Sequence, residues 1–168
     1  TGFSQKVSAS ELVHHLNSLF SRFDELTEEF QVEKIKTIGD AYMIVSGVPE
    51  VSNNHAEKLI NMALEMLKEI KIWNETYKLD LNLRIGIHSG PLVAGVIGKK
   101  KFTYDLWGDT VNTASRMESH GVPGKIHVSS STYELVNNTF SFLDRGEIEI
   151  KGKGKMKTFL VEAVRVFR

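Results

Sequence analysis

Apolar residues at Leu12, Leu16, Leu19, Phe20, Phe23 and Leu26 recur every three or four positions, the spacing of one helical face. Ser8 followed by Glu11 places a capping box at the head of this stretch, so an amphipathic helix is predicted to run to about Glu29. A second stripe of Ile60, Ala63, Met66, Leu67, Ile70 and Trp73 follows Asn54 and Glu57, which open another helix. Between the two, residues 32–38 and 41–48 read as a hairpin closed by Pro49 after Gly47. Residues 81–88 alternate apolar with other side chains and predict a buried strand, ended by Ser89, Gly90 and Pro91.

The second half is more broken. Residues 92–98, rich in glycine and valine, continue as strand or loop before Lys99, Lys100 and Lys101. Helical spacing returns from Asp109 to His120 and is stopped by Gly121, Pro123 and Gly124. A short strand at 126–128 and a short helix at 131–136 precede three strands at about 140–144, 146–151 and 157–165. The alternating lysines and glycines of Lys151–Lys155 turn the chain between the last two. The expected architecture is a single α+β domain over residues 1–168. Its sheet is mainly antiparallel, its helices pack chiefly on one face, and a strand-rich extension ends the chain.

Composition narrows the classes of function. Lys and Arg number 21, as do Asp and Glu, so the formal charge is zero and no basic surface for nucleic acid is expected. There is no cysteine, which excludes disulfides and thiol chemistry. No apolar run approaches the roughly 20 residues of a membrane span. A soluble, cytoplasmic domain without direct membrane insertion is expected, although a longer parent protein could be membrane-tethered.

Two segments carry the candidate chemistry. In Lys34-Ile35-Lys36-Thr37-Ile38-Gly39-Asp40-Ala41-Tyr42-Met43, a Gly-Asp pair falls at the hairpin tip. A carboxylate there can ligate Mg²⁺ while substrate phosphates fill other positions. In Tyr104-Asp105-Leu106-Trp107-Gly108-Asp109-Thr110-Val111-Asn112-Thr113-Ala114-Ser115-Arg116-Met117-Glu118, Asn112 and Arg116 lie four apart and therefore on one helical face. His88 has no metal-ligand partner at suitable spacing and reads as structural, and Lys99–Lys101 reads as a solvated loop.

Together the two segments resemble the catalytic domain of class III nucleotidyl cyclases, of homodimeric bacterial type, with a ferredoxin-like, palm-type sheet. The resemblance implies conversion of ATP to 3′,5′-cyclic AMP and pyrophosphate. Lys36 and Asp105 match the positions that read the purine. Lysine donates and ionised aspartate accepts, which suits the N1 acceptor and 6-amino donor of adenine and fits guanine poorly. The resemblance further gives Asn112 the ribose, Arg116 the charge on the α-phosphate, and Arg84 and Lys151 the triphosphate. Arginine suits oxyanions because its planar fork stays charged.

Two Mg²⁺ ions, replaceable by Mn²⁺, are implied, with Asp40 a metal ligand. The family carries a first metal aspartate on an opening strand of the form Phe-x-Asp-Ile-x-x-Phe-Thr. Thr1-Gly2-Phe3-Ser4 looks like the tail of that motif, so the aspartate itself is expected upstream; Asp24 and Glu25 on the first helix are not stand-ins for it. Regulatory domains are expected upstream in a longer parent chain. Metal carboxylates and the Asn/Arg pair would come from different subunits of a homodimer, with ATP bound across it. Two alternatives remain: a guanylyl cyclase, and a non-catalytic nucleotide-binding module that dimerises and regulates attached domains.

Overall fold

A computed structural model describes residues 7–166 of the chain, which divide into two compact units, residues 1–83 and 84–168. The first holds helix α1 (Ala9–Phe30), strands β1 (Glu33–Ile38) and β2 (Ala41–Val45), and helix α2 (His55–Tyr77). The capping box forms as the sequence predicts: the Ser8 hydroxyl accepts from the Glu11 N–H at 3.2 Å and the Glu11 carboxylate accepts from the Ser8 N–H at 3.1 Å. The apolar stripes are the faces turned inward. Leu19, Phe23 and Leu26 are buried on α1, and Ile60, Ala63, Met66 and Ile70 on α2.

The two helices pack together, and polar ties join their margins. Arg22 bonds Glu69 of α2 through Nε at 3.0 Å while its Nη1 reaches Glu25 and Glu29 at 2.8 and 3.1 Å. Nearby, the Trp73 indole N–H donates to His15 Nδ1 at 2.9 Å. Strands β1 and β2 form an antiparallel hairpin with an irregularity between Lys34 and Lys36.

The second unit contains β3 (Ile85–Ile87), β4 (Val93–Ile97), β5 (Thr103–Trp107), α3 (Asp109–Ser119), β6 (Ile126–Ser129), α4 (Ser130–Val136), β7 (Phe140–Ile150) and β8 (Gly154–Val164). Four strands make one sheet in the order β3-β6-β8-β7; β3 runs parallel to β6 and the other pairs are antiparallel. Strands β4 and β5 form a separate antiparallel pair. All four residues of β6 are buried, as expected for the interior strand of a covered sheet.

Three local expectations change. The strand expected over 81–88 shrinks to Ile85–Ile87, because the Asn74 side chain accepts from the Leu81 N–H at 2.9 Å and donates to the Leu81 carbonyl at 2.8 Å. Those are the backbone groups a neighbouring strand would have paired. The strands expected at 140–144 and 146–151 are one continuous strand, β7, which ends at Ile150 and whose register slips between Asp144 and Gly146 opposite β8. A bulge, not a turn, separates the two halves. Finally, Thr103–Trp107 is a strand where the sequence predicted none.

Candidate functional site

The β1–β2 hairpin places two of the expected residues. Lys36 is half-buried on β1 opposite Met43, and Asp40 is exposed at the tip. Gly39 beside it takes φ 58°, and a Cβ there would meet nothing within 4 Å. That backbone conformation favours glycine.

Asp24 of α1 faces the same hairpin but is already engaged. It accepts from the Tyr42 hydroxyl at 2.5 Å and from Lys34 Nζ at 2.9 Å, and that ammonium also lies 5.1 Å from the Tyr42 ring centre. Burial works to raise the Asp24 pKa, but the bonds from Tyr42 and Lys34 outweigh it and hold the carboxyl below its ordinary range. Burial and the same carboxylate push the Tyr42 phenol far up. Asp24 therefore serves as a hairpin anchor and does not substitute for a metal ligand.

A Mg²⁺ ion takes about six oxygen ligands. Asp40 is a hard, exposed donor of the right kind, yet among the described residues no group of three His, Cys, Asp or Glu is placed to hold a metal. Asp40 fits such an ion as one ligand among several. The segment Thr1–Ser4, matched to the opening motif, lies outside the described residues.

In the second unit a single run of chain carries three more candidates. Asp105 is half-buried on β5, opposite Gly95, and one of its carboxylate oxygens accepts from the Leu106 N–H at 2.8 Å. Strand β5 passes through Gly108 directly into α3. That helix buries Thr110, Thr113 and Met117 and leaves Asn112 and Arg116 exposed on another face, one turn apart.

The position of α3 is tightly set. A Cβ at Gly86 of β3 would overlap the backbone of Met117 and Glu118, so helix and strand meet at a distance only glycine permits. At the head of the helix the Thr110 hydroxyl donates to the Pro91 carbonyl at 2.5 Å. At its tail, His127 of β6 bonds the Met117 carbonyl through Nδ1 at 2.8 Å, and Arg145 from the β7 bulge donates to the His120 carbonyl. A cation at a helix C-terminus also opposes the helix dipole favourably.

Arg84 and Lys151 stand at the margins. The Arg84 guanidinium is held by Glu118 of α3, with Nε and Nη2 at 3.1 and 3.0 Å from Oε1. Lys151 is exposed in the turn between β7 and β8. Two residues further, Lys153 forms an ion pair with Asp109, the first residue of α3. Sequence reading missed this pair, whose only trace is an acidic residue in the first turn of the helix.

His88 is held among serine hydroxyls. Its Nδ1 lies 2.7 Å from the Ser129 hydroxyl and 3.2 Å from that of Ser131, which in turn donates to the Ser89 carbonyl at 3.0 Å. Burial lowers its pKa, the Lys153 charge lowers it further, and Asp109 partly offsets both. His127 is also lowered, chiefly by burial.

The sign for stability follows. Both rings stay neutral in the folded protein at pH values where the unfolded chain takes up protons. Stability is therefore complete above the free imidazole value of about 6.5 and falls as pH drops below it, until the folded rings titrate. Urea midpoints measured between pH 7.5 and 5 should decline, and His88→Gln should flatten part of that decline. A midpoint independent of pH would contradict the assignment.

The structure thus gathers Asp105, Asn112 and Arg116 on one strand–helix run and Lys36 with Asp40 on one hairpin. No helix among the described residues is long and apolar enough to cross a membrane.

The chain is similar to known proteins. The chain is 50% identical over 153 residues to guanylate cyclase soluble subunit beta-2 of Homo sapiens, across 90% of this chain and 25% of that protein. It is 43% identical over 161 residues to an adenylate cyclase of Mycobacterium tuberculosis, across 94% of this chain and 36% of that protein. Among solved structures, the guanylate cyclase domain of RhGC from Catenaria anguillulae in complex with GTP superposes with a TM-score of 0.88 at 42% identity, over 96% of this chain and 89% of that one. The chain therefore spans only about a quarter to a third of these curated relatives. Its mixed α+β build is the palm-type fold of cyclase domains. Residues 1–163 match the model of the adenylate and guanylate cyclase catalytic domain, and with the relatives above this places the chain in that family.

Proposed function

We propose that this chain is the catalytic domain of an adenylyl cyclase, acting on ATP as part of a longer, homodimeric, cytoplasmic protein. The observation that carries the reading is the acceptor-only carboxylate of Asp105, half-buried on β5 and continuous with the helix that exposes Asn112 and Arg116. Lys36, the donor matched to it, completes the complement of adenine. A half-buried polar group discriminates strongly because the wrong purine leaves it unpaired.

The reaction forms a bond from the ribose 3′-oxygen to the α-phosphorus and breaks the α-phosphorus–oxygen bond to pyrophosphate. Asn112 orients the ribose through its amide. Arg116 holds the charge that grows on the α-phosphate oxygens, and Lys151 and Arg84 hold the outer phosphates. For Arg84 this requires sharing the guanidinium now paired with Glu118, which its five N–H donors permit. Bound through Asp40, Mg²⁺ would supply Lewis-acid stabilisation of the phosphates and a lower pKa for the 3′-hydroxyl.

A guanylyl cyclase is the second reading, favoured by the 50% identity to guanylate cyclase soluble subunit beta-2. Overall identity is a poor guide here, because most matching residues build the fold and few touch a purine. Cyclic nucleotide production from ATP and from GTP, with Mg²⁺ or Mn²⁺ and with the preceding segment of chain attached, decides between them. Cyclic AMP with little cyclic GMP is expected. Cyclic GMP as the main product would replace the first reading by the second, and no product from a folded dimer would point to the regulatory module.

A further inference from the structure

Asp109 and Lys153 are 44 residues apart in sequence, yet their side chains form an ion pair. Lys153 closes the turn that joins β7 to β8, and its side chain is 32% exposed against 65% for Asp109. The turn, residues 151–153, carries Gly152 at φ 81° and is closed by a backbone bond from the Lys153 N–H to the Ile150 carbonyl at 2.9 Å, while Gly154 at φ 75° opens β8 opposite Ile150. Glycine-rich turns are the most mobile backbone a chain can build. Lys151, the proposed phosphate contact, lies in this turn.

The other end of the ion pair is fixed. Thr110, next to Asp109, is buried and bonded to the Pro91 carbonyl, and α3 rests on β3 at Gly86. A lysine tied to the head of a fixed helix ties its own turn to that helix. We propose that Asp109 is a positioning residue: through Lys153 it holds the β7–β8 turn against the start of α3 and so places Lys151 for the outer phosphates of the substrate. The inference rests on the cyclase reading above. In this reading Asp109 acts through Lys153 and not on the substrate itself.

Contacts to the outer phosphates are made in the ground state and the transition state alike, so their loss raises KM and spares kcat. In the full-length protein, Asp109→Asn and Lys153→Met should each raise KM for ATP about fivefold, the upper range for a partly exposed ion pair. Each should weaken inhibition by inorganic pyrophosphate by the same factor, with kcat within about twofold of the parent. The double variant should be no worse than either single one, because both remove the same link. Asp109→Glu keeps the charge and should restore KM.

A purely structural role, with Asp109 complementing the α3 dipole, would lower Tm without moving KM and would make the two effects additive. Unchanged KM and pyrophosphate inhibition in Asp109→Asn, or additivity in the double variant, overturns the inference. A parent protein that turns over neither ATP nor GTP overturns the cyclase reading separately. Pyrophosphate binding by the same variants, followed by calorimetry, still decides the positioning role in that event.

Discussion

Changing Lys36 to Glu and Asp105 to Gly together should reverse the purine preference, lowering kcat/KM for ATP and raising it for GTP. The pair acts through complementary hydrogen-bond donors and acceptors. Lys36 offers N–H donors and Asp105 offers acceptors; Glu at 36 accepts from the guanine N1–H, and Gly at 105 removes a carboxylate that would face O6. Each buried polar group left without a partner costs about 1–3 kcal/mol, so two positions give a swing of about 10²–10⁴ in the ATP/GTP ratio. Asp105 is held by the Leu106 N–H and is half-buried, which places it within reach of that full effect. Either single change should lower turnover of ATP and leave turnover of GTP between that of the parent and that of the double variant, since it leaves one mismatch with each purine. The measurement is initial rates of cyclic AMP and cyclic GMP formation under matched metal and substrate. An undiminished preference for ATP in the double variant would refute the assignment of both residues.

The elements legible from sequence are those whose own residues decide them. α1 and α2 carry apolar stripes, and the stripes are the buried faces. The β1–β2 tip was legible because Gly39 takes a left-handed backbone conformation that favours glycine. α3 announced itself by spacing and by the stop at Gly121, and its exposed face holds the expected Asn112 and Arg116.

What escaped detection depended on distant partners. Strand β5 is invisible to a search for alternating apolar residues because Asp105 sits in its centre, where a carboxylate interrupts the pattern. The shortening of β3 follows from Asn74, an amide on α2 that captures the backbone of Leu81. Nothing in the sequence around Leu81 encodes that competition. The bulge in β7 looked like a break between two strands because Gly146 punctuates the pattern. The tie between Asp109 and Lys153 was equally hidden, since each is an ordinary surface charge until the turn and the helix are placed. Candidate residues could thus be named one by one from the sequence, whereas the contacts that support them required the fold.

Substitution of Arg116 by Ala should lower cyclic AMP formation by at least about a hundredfold, the usual cost of removing one donor to a developing oxyanion. Asp40→Ala should cost a similar factor by loosening the metal. Under the homodimer proposal, however, these two defects fall on different sides of one site. Asp40 lies at the tip of a hairpin and Arg116 on the exposed face of α3. If one subunit contributes the carboxylate and the other the guanidinium, a mixed dimer has one site with both defects and one with neither. Co-expressing the two inactive variants in equal amounts gives mixed dimers as about half the population, each with one of two sites intact. Activity should then recover to about a quarter of the parent value. Each variant assayed alone, at the same total concentration, supplies the baseline. A mixture no more active than its components, in a sample shown to contain mixed dimers, would mean that both residues serve the same subunit's site and would sink the shared-site arrangement.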